Sequence, residues 1–151
     1  MNKSVSYSTL AAILRLPSYY REEQRVLEEA VKLLEVVGLA EKQTTLAKNL
    51  PYGQQRKLEI ARALAAKPKI LFLDEPAAGM NLQETTELTE LIHQIKEQFN
   101  LTVVLIEHDM SLVMKICERI YVLDYGKCIA HGTPEAIKNN RRVIEAYLGE
   151  D

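Results

Sequence analysis

Two adjacent carboxylates, Asp74 and Glu75, close a continuous apolar run of Ile70, Leu71, Phe72 and Leu73. Side by side, such groups can divide labour: one is a hard oxygen ligand for a cation, the other takes a proton from water. The plainer alternative is a solvated acidic strand end, and the run with its two acids does not by itself displace it. A second polar group, Glu107-His108-Asp109, closes another apolar run, residues 101–106. His108 there shares the context of Asp74 and Glu75, and histidine is the side chain that changes charge near neutral pH. His93 falls in the middle of a helical pattern and His131 at the end of a later strand; both read as ordinary surface or satisfied core residues. The third feature is Pro51-Tyr52-Gly53, which precedes helical spacing. It places Gly53 at a helix N-terminus, where unpaired N–H groups and the helix dipole favour anions. A lone glycine at a helix start is more often just a turn.

The elements that must position these residues follow from periodicity. Residues 70–73, bounded by Pro68 and Pro76, and residues 101–106, rich in β-branched side chains, read as strands buried on both faces. Between them, residues 83–99 form a helix that turns Leu88, Leu91, Ile92 and Ile95 inward, with Asn81 placed as a helix N-cap and Asn100 as a breaker. Strand, helix, strand is one right-handed crossover. It makes the two polar strand ends neighbours if the strands are adjacent, and ligands of open parallel sheets bind beyond such ends.

The chain before residue 50 reads as helical. Residues 5–16 carry a short apolar face. Residues 21–37 are amphipathic through Val26, Ala30, Leu33, Leu34 and Val37, and Gly38 closes the helix. Residues 39–49 are a short helix or turn, and helical spacing resumes from 55 to 66. Later, residues 111–117 form a helix, residues 120–123 and 127–131 a hairpin around Asp124-Tyr125-Gly126, and Thr133-Pro134 opens another helix before a last one at 141–148. The class is α/β: a helical arm over 1–49, then a mainly parallel sheet with flanking helices over 50–151.

The chain has 151 residues, 47% hydrophobic and 26% charged, which suits one soluble globular domain or less. A net charge of −2 gives no bulk electrostatic case for nucleic acid or anionic membrane. Cys117 and Cys128 form no metal-ligand spacing or disulfide framework and read as small core residues, consistent with a reducing cytoplasm. No signal peptide and no apolar run near the about 20 residues of a membrane span is evident. Any membrane link is expected to run through a partner.

The segment Leu50-Pro51-Tyr52-Gly53-Gln54-Gln55-Arg56 resembles the signature motif of ATP-binding cassette (ABC) ATPases, a branch of the P-loop NTPases. Ile70 to Pro76 resembles their Walker B strand, Ala78-Gly79-Met80-Asn81 their D-loop, and His108 their switch histidine. The wording LPYGQQRKLEIARAL, the AAGMN loop and the tail GTPEAIKNNRRVIEAYLGE are similar to the ATP-binding subunit of branched-chain amino acid importers, from about Val26 onward. The resemblance implies ATP and Mg²⁺ as ligands. It implies that Asp74 holds Mg²⁺, mostly through water, that Glu75 orients or deprotonates the attacking water, and that His108 contacts the γ-phosphate. Tyr52, Gly53 and Gln54 would face the nucleotide of a second ATPase subunit, with Asn81 at the seam. Membrane permease subunits and, indirectly, a solute-binding protein are the implied partners, on the inner face of the cell membrane.

Three substitutions depart from the general pattern. Pro51 replaces the signature serine, Tyr52 a glycine, and Asn81 the D-loop aspartate. A larger departure is that no G-x-x-x-x-G-K-[ST] occurs: none of Gly38, Gly53, Gly79, Gly126, Gly132 and Gly149 begins such a run. The backbone cradle for phosphates, the Q-loop and the adenine-stacking aromatic are therefore missing from these residues. The chain is expected to be the C-terminal part of an ATPase subunit, unable to bind or hydrolyse ATP alone, with Leu71, Leu73, Val103 and Leu105 short of cover. Two other readings stand beside this one. A non-catalytic module could dock on the permease or a complete subunit. A cassette ATPase of DNA repair or chromosome structure would need coiled coils and basic surfaces that the sequence lacks.

Overall fold

The computed structural model describes residues 16–148. The helical face expected at 5–16 lies almost wholly outside them. The described chain forms two compact units, residues 1–69 and 70–151. The first unit includes the signature-like helix, which packs with the helix before it.

In the first unit, α1 spans Pro17–Val36 and α2 spans Tyr52–Leu64, joined by 3-10 turns at Ala40–Lys42 and Ala47–Asn49. Pro17 is the first residue of α1, since the fixed φ of proline suits a first helical turn. Val26, Leu33 and Leu34 are half-buried and Val37 is buried, whereas Ala30 faces outward. The helix ends as expected at Gly38. Its φ is +72°, Gly38 N–H donates to Glu35 O (3.0 Å), and Leu39 N–H donates to Leu34 O (2.7 Å). This pair of bonds satisfies the last carbonyls and buries Leu39 beside them.

In the second unit, β1 (Ile70–Asp74) pairs in parallel with β2 (Thr102–Ile106), with Leu71 opposite Val103, Leu73 opposite Leu105 and Asp74 opposite Ile106. The helix between them, α3 (Leu82–Gln98), buries Leu88, Leu91, Ile92 and Ile95. Each such side chain contributes about 1.5–3 kcal/mol when fully removed from water. Asn81 caps α3 in a reciprocal box: its side chain accepts from Glu84 N–H (3.0 Å), while the Glu84 carboxylate accepts from Asn81 N–H (3.0 Å). At the far end Asn100 takes φ +50°, and Leu101 N–H donates to Lys96 O (3.0 Å).

The strands are not buried on both faces. Leu71 and Leu73 are covered and Val103 and Leu105 half-covered, but Ile70, Phe72, Val104 and Ile106 are exposed, Phe72 at 70%. The uncovered side is thus opposite to the one expected from the sequence. Parallel register puts these four on one face, and no described element covers it.

After β2 come α4 (Met110–Ile116), β3 (Ile120–Asp124), β4 (Lys127–Gly132), α5 (Pro134–Lys138) and α6 (Arg141–Leu148). β3 and β4 form the expected antiparallel hairpin. Tyr125 (φ +42°) and Gly126 (φ +76°) both occupy the left-handed region, as a two-residue turn that matches strand twist requires. Val113, Ile120, Val122, Ile137 and Val143 pack into the core of this part. Cys117 borders it and its thiol is pushed up by burial, while Cys128 is exposed rather than a core residue. A groove of about 840 Å³ runs between β2 and β3. Among the described residues each of these strands pairs on one edge only.

Candidate functional site

The strand ends meet as the crossover requires. β1 delivers Asp74 and Glu75, and β2 delivers Glu107 and His108, at the same end of one parallel pair. Glu75 N–H donates to Ile106 O (2.9 Å), which extends the ladder one residue beyond the strands. Glu75 then turns sharply, with φ +42°. A non-glycine residue there is strained and persists only where its surroundings enforce it. Ala78 N–H donating to Glu75 O (3.1 Å) and Pro76, buried below, supply that enforcement.

The turn leaves the Glu75 side chain 54% exposed, and His108 is 73% exposed. His108 Nδ1 lies 3.4 Å from Glu75 Oε1. A carboxylate and an imidazole at this separation can share or pass a proton, and both are open to a ligand arriving from solvent. Asp74 is exposed at the last position of β1. Among the described residues no group of three or more His, Cys, Asp or Glu could hold a metal ion.

Asp109, next along, does structural work. It caps α4 by accepting from Ser111 N–H (2.8 Å) and Leu112 N–H (3.4 Å). Hydrogen bonding from Ser111 holds its carboxyl below the usual aspartate value, with the His108 charge adding to this. The sequence reading passed over Glu107, whose side chain is only 2% exposed. It accepts from Ala77 N–H (3.1 Å), thirty positions away in sequence, and from His108 N–H (3.2 Å). Only the three-dimensional crossover could have revealed that contact. Asn81 sits in its capping box at the far end of the same loop.

The signature-like residues belong to the first unit. Pro51 is the N-cap of α2 and offers no side-chain cap, so the first N–H groups of the helix lack the usual side-chain acceptor. Tyr52 is half-exposed; its hydroxyl accepts from Arg56 Nη2 (2.7 Å) and Nε (3.1 Å), and the guanidinium lies 5.1 Å from the ring centre. Gly53 is buried in the first turn of the helix. Gln54 Oε1 is buried and accepts no hydrogen bond among the described residues. Gln55 folds back to donate to Leu50 O (2.8 Å), which fixes the turn into the helix.

His93 and His131 take the ordinary roles expected of them. His93 Nε2 lies 3.2 Å from Lys115 O, and His131 stacks on Tyr121 with ring centres 5.7 Å apart.

Comparison with known proteins adds a family context to this geometry. The family model described as ABC transporter matches residues 2–78, and that described as branched-chain amino acid ATP-binding cassette transporter matches residues 127–151. The first match begins well ahead of Val26. Over 140 residues the chain is 52% identical to the high-affinity branched-chain amino acid transport ATP-binding protein LivG of Escherichia coli (strain K12), covering 93% of this chain and 55% of LivG. It is 47% identical over 149 residues to the corresponding Pseudomonas aeruginosa protein BraF, covering 99% of this chain and 58% of BraF. Among solved structures, an ATP-binding cassette of an ABC transporter in its ADP conformation superposes with a TM-score of 0.76 at 30% identity, covering 83% of this chain and 51% of that one. The chain thus spans a little over half the length of these curated relatives.

Proposed function

The chain belongs to the ABC transporter family, with the P-loop NTPase fold of its ATP-binding cassettes, and from that membership we propose that it serves an importer of branched-chain amino acids as part of the ATP-binding subunit. The observation that carries the chemical part is the approach of His108 to Glu75, 3.4 Å apart at adjacent strand ends with Asp74 alongside. LivG and BraF, at about half identity, support the substrate class; nothing in this site would touch the transported solute.

In this reading Glu75 orients the attacking water and accepts its proton. His108 senses the γ-phosphate and is kept in reach by Glu75. Asp74 would hold magnesium, which when bound would neutralise charge on the phosphate oxygens. The uncapped N–H groups at Tyr52, Gly53 and Gln54 receive the γ-phosphate of a nucleotide carried by a second ATPase subunit. The absence of a signature serine leaves that work to the backbone amides. Asn81 lies at the subunit seam while still capping α3.

The 151 residues contain no G-x-x-x-x-G-K-[ST], so they hold no phosphate cradle. We assign them the hydrolytic and signature residues, with turnover only where a phosphate loop is supplied. Among the described residues no helix is long and apolar enough to cross a membrane. Contact with the membrane runs through permease subunits, on the cytoplasmic side where ATP is available. The test is ATP turnover in the assembled transporter. Glu75→Gln is expected to lower kcat by about 10²-fold or more with nucleotide binding retained. Unchanged turnover would remove Glu75 from the mechanism.

A further inference from the structure

We propose that Glu107 is a positioning residue that locks the loop after Glu75 to the end of β2 and so holds His108 in reach of Glu75. The inference rests on the reading of Glu75 and His108 given above, but its geometry stands alone.

Three carboxylates approach this strand end, and they differ sharply in exposure. Asp74 and Glu75 are open to solvent, whereas the Glu107 side chain is 2% exposed. A carboxylate withdrawn from water must find donors, or its burial costs several kcal/mol. Glu107 finds one for each oxygen. Oε1 accepts from Ala77 N–H at 3.1 Å, and Oε2 accepts from His108 N–H at 3.2 Å. The first bond reaches across the crossover to the loop that leaves β1. The second closes back on the residue that carries the imidazole. His108 Nδ1 is also 3.8 Å from Oε2, so the ring lies between a buried carboxylate and the exposed one of Glu75.

Two links therefore join the strand ends, the Glu75 N–H bond to Ile106 O (2.9 Å) and the Glu107 bridge. The first fixes where Glu75 begins; the second fixes where the chain goes next. Glu75 holds a left-handed φ, and a strained residue stays so only if both its flanks are tied. The loop runs on through Gly79 to the Asn81 capping box, so Glu107 also ties the hydrolytic pair to the seam residue. Two N–H donors facing two oxygens require a carboxylate. A glutamine keeps one acceptor and turns its NH₂ toward the other donor.

The test compares wild type with Glu107→Gln in two arms. In the chain itself, carrying Phe72→Glu in both samples to keep it monomeric, amide NMR should show the Ala77 or His108 N–H resonance shifted upfield, with exchange with solvent at least about tenfold faster and the Leu88 and Ile92 amides unmoved. If both resonances stay in place, the bridge does not exist and the proposal fails. In the assembled transporter, Glu107→Gln should lower kcat about tenfold with the KM for ATP unchanged. A shift of the amides with kcat unaltered would make the bridge structural only and would overturn the positioning role. A wild-type assembly without ATP turnover would instead overturn the functional reading, while the amide arm still decides the bridge.

Discussion

Glu75 combines an exposed carboxylate with a backbone that only glycine adopts freely, since its φ is +42°. A side chain in the left-handed region costs about 1–2 kcal/mol, and that cost is carried here by the residue proposed to orient the attacking water. Stability and function should therefore separate at this position. Glu75→Gly is expected to be more stable than Glu75→Ala by about 1 kcal/mol, read from urea unfolding midpoints of the two variants. Equal midpoints would mean that the turn relaxes on losing the glutamate side chain. The sequence put Asp74, Glu75 and His108 forward by residue type and strand-end position, and the structure brings those positions together. Glu107 stood in the same motif and escaped, because its importance lies in a contact thirty residues away.

The helices end on capping chemistry that can be measured one element at a time. Asp109 holds the first turn of α4 through Ser111 and Leu112. Asp109→Ala should cost about 1 kcal/mol. Because its carboxyl titrates below the usual aspartate value of 3.8, the folded state binds fewer protons than the unfolded one near that pH. The contribution is fully present above pH 3.8 and is lost as pH falls through the lower, folded value. Asp109→Asn should keep the cap while flattening that acid-side loss, which thermal midpoints across pH 2.5 to about 6 would show. At the other end of α3, Asn100 takes φ +50° in a helix-terminating turn. Asn100→Gly should raise stability by about 0.5–1 kcal/mol, and a fall in the midpoint would contradict the strain assigned there. Element types were readable from periodicity: the inward face of α3, its Asn81 cap and the hairpin turn all stand where spacing put them. Burial of the strands was not. An unbroken apolar run signals cover on both faces, but cover is supplied by other segments, and the run carries no record of which face they leave bare.

At the scale of the second unit, Ile70, Phe72, Val104 and Ile106 form a continuous exposed apolar face, and β2 and β3 each leave an edge unpaired among the described residues. Such faces and edges drive association in water. The isolated chain should self-associate at micromolar concentration, and Phe72→Glu should shift its sedimentation toward monomer without changing its helix content. Association unaffected by that charge would place the sticky surface elsewhere. The central proposal, though, is a division of parts: these residues supply Glu75, His108 and the signature-like helix, and their sequence has no G-x-x-x-x-G-K-[ST] loop. Calorimetric titration of the 151-residue chain with Mg-ATP tests it most directly. No saturable binding up to millimolar nucleotide is the expected result. Saturation in the micromolar range would contradict it, and would mean that this chain grips phosphates by a site other than the loop its sequence lacks.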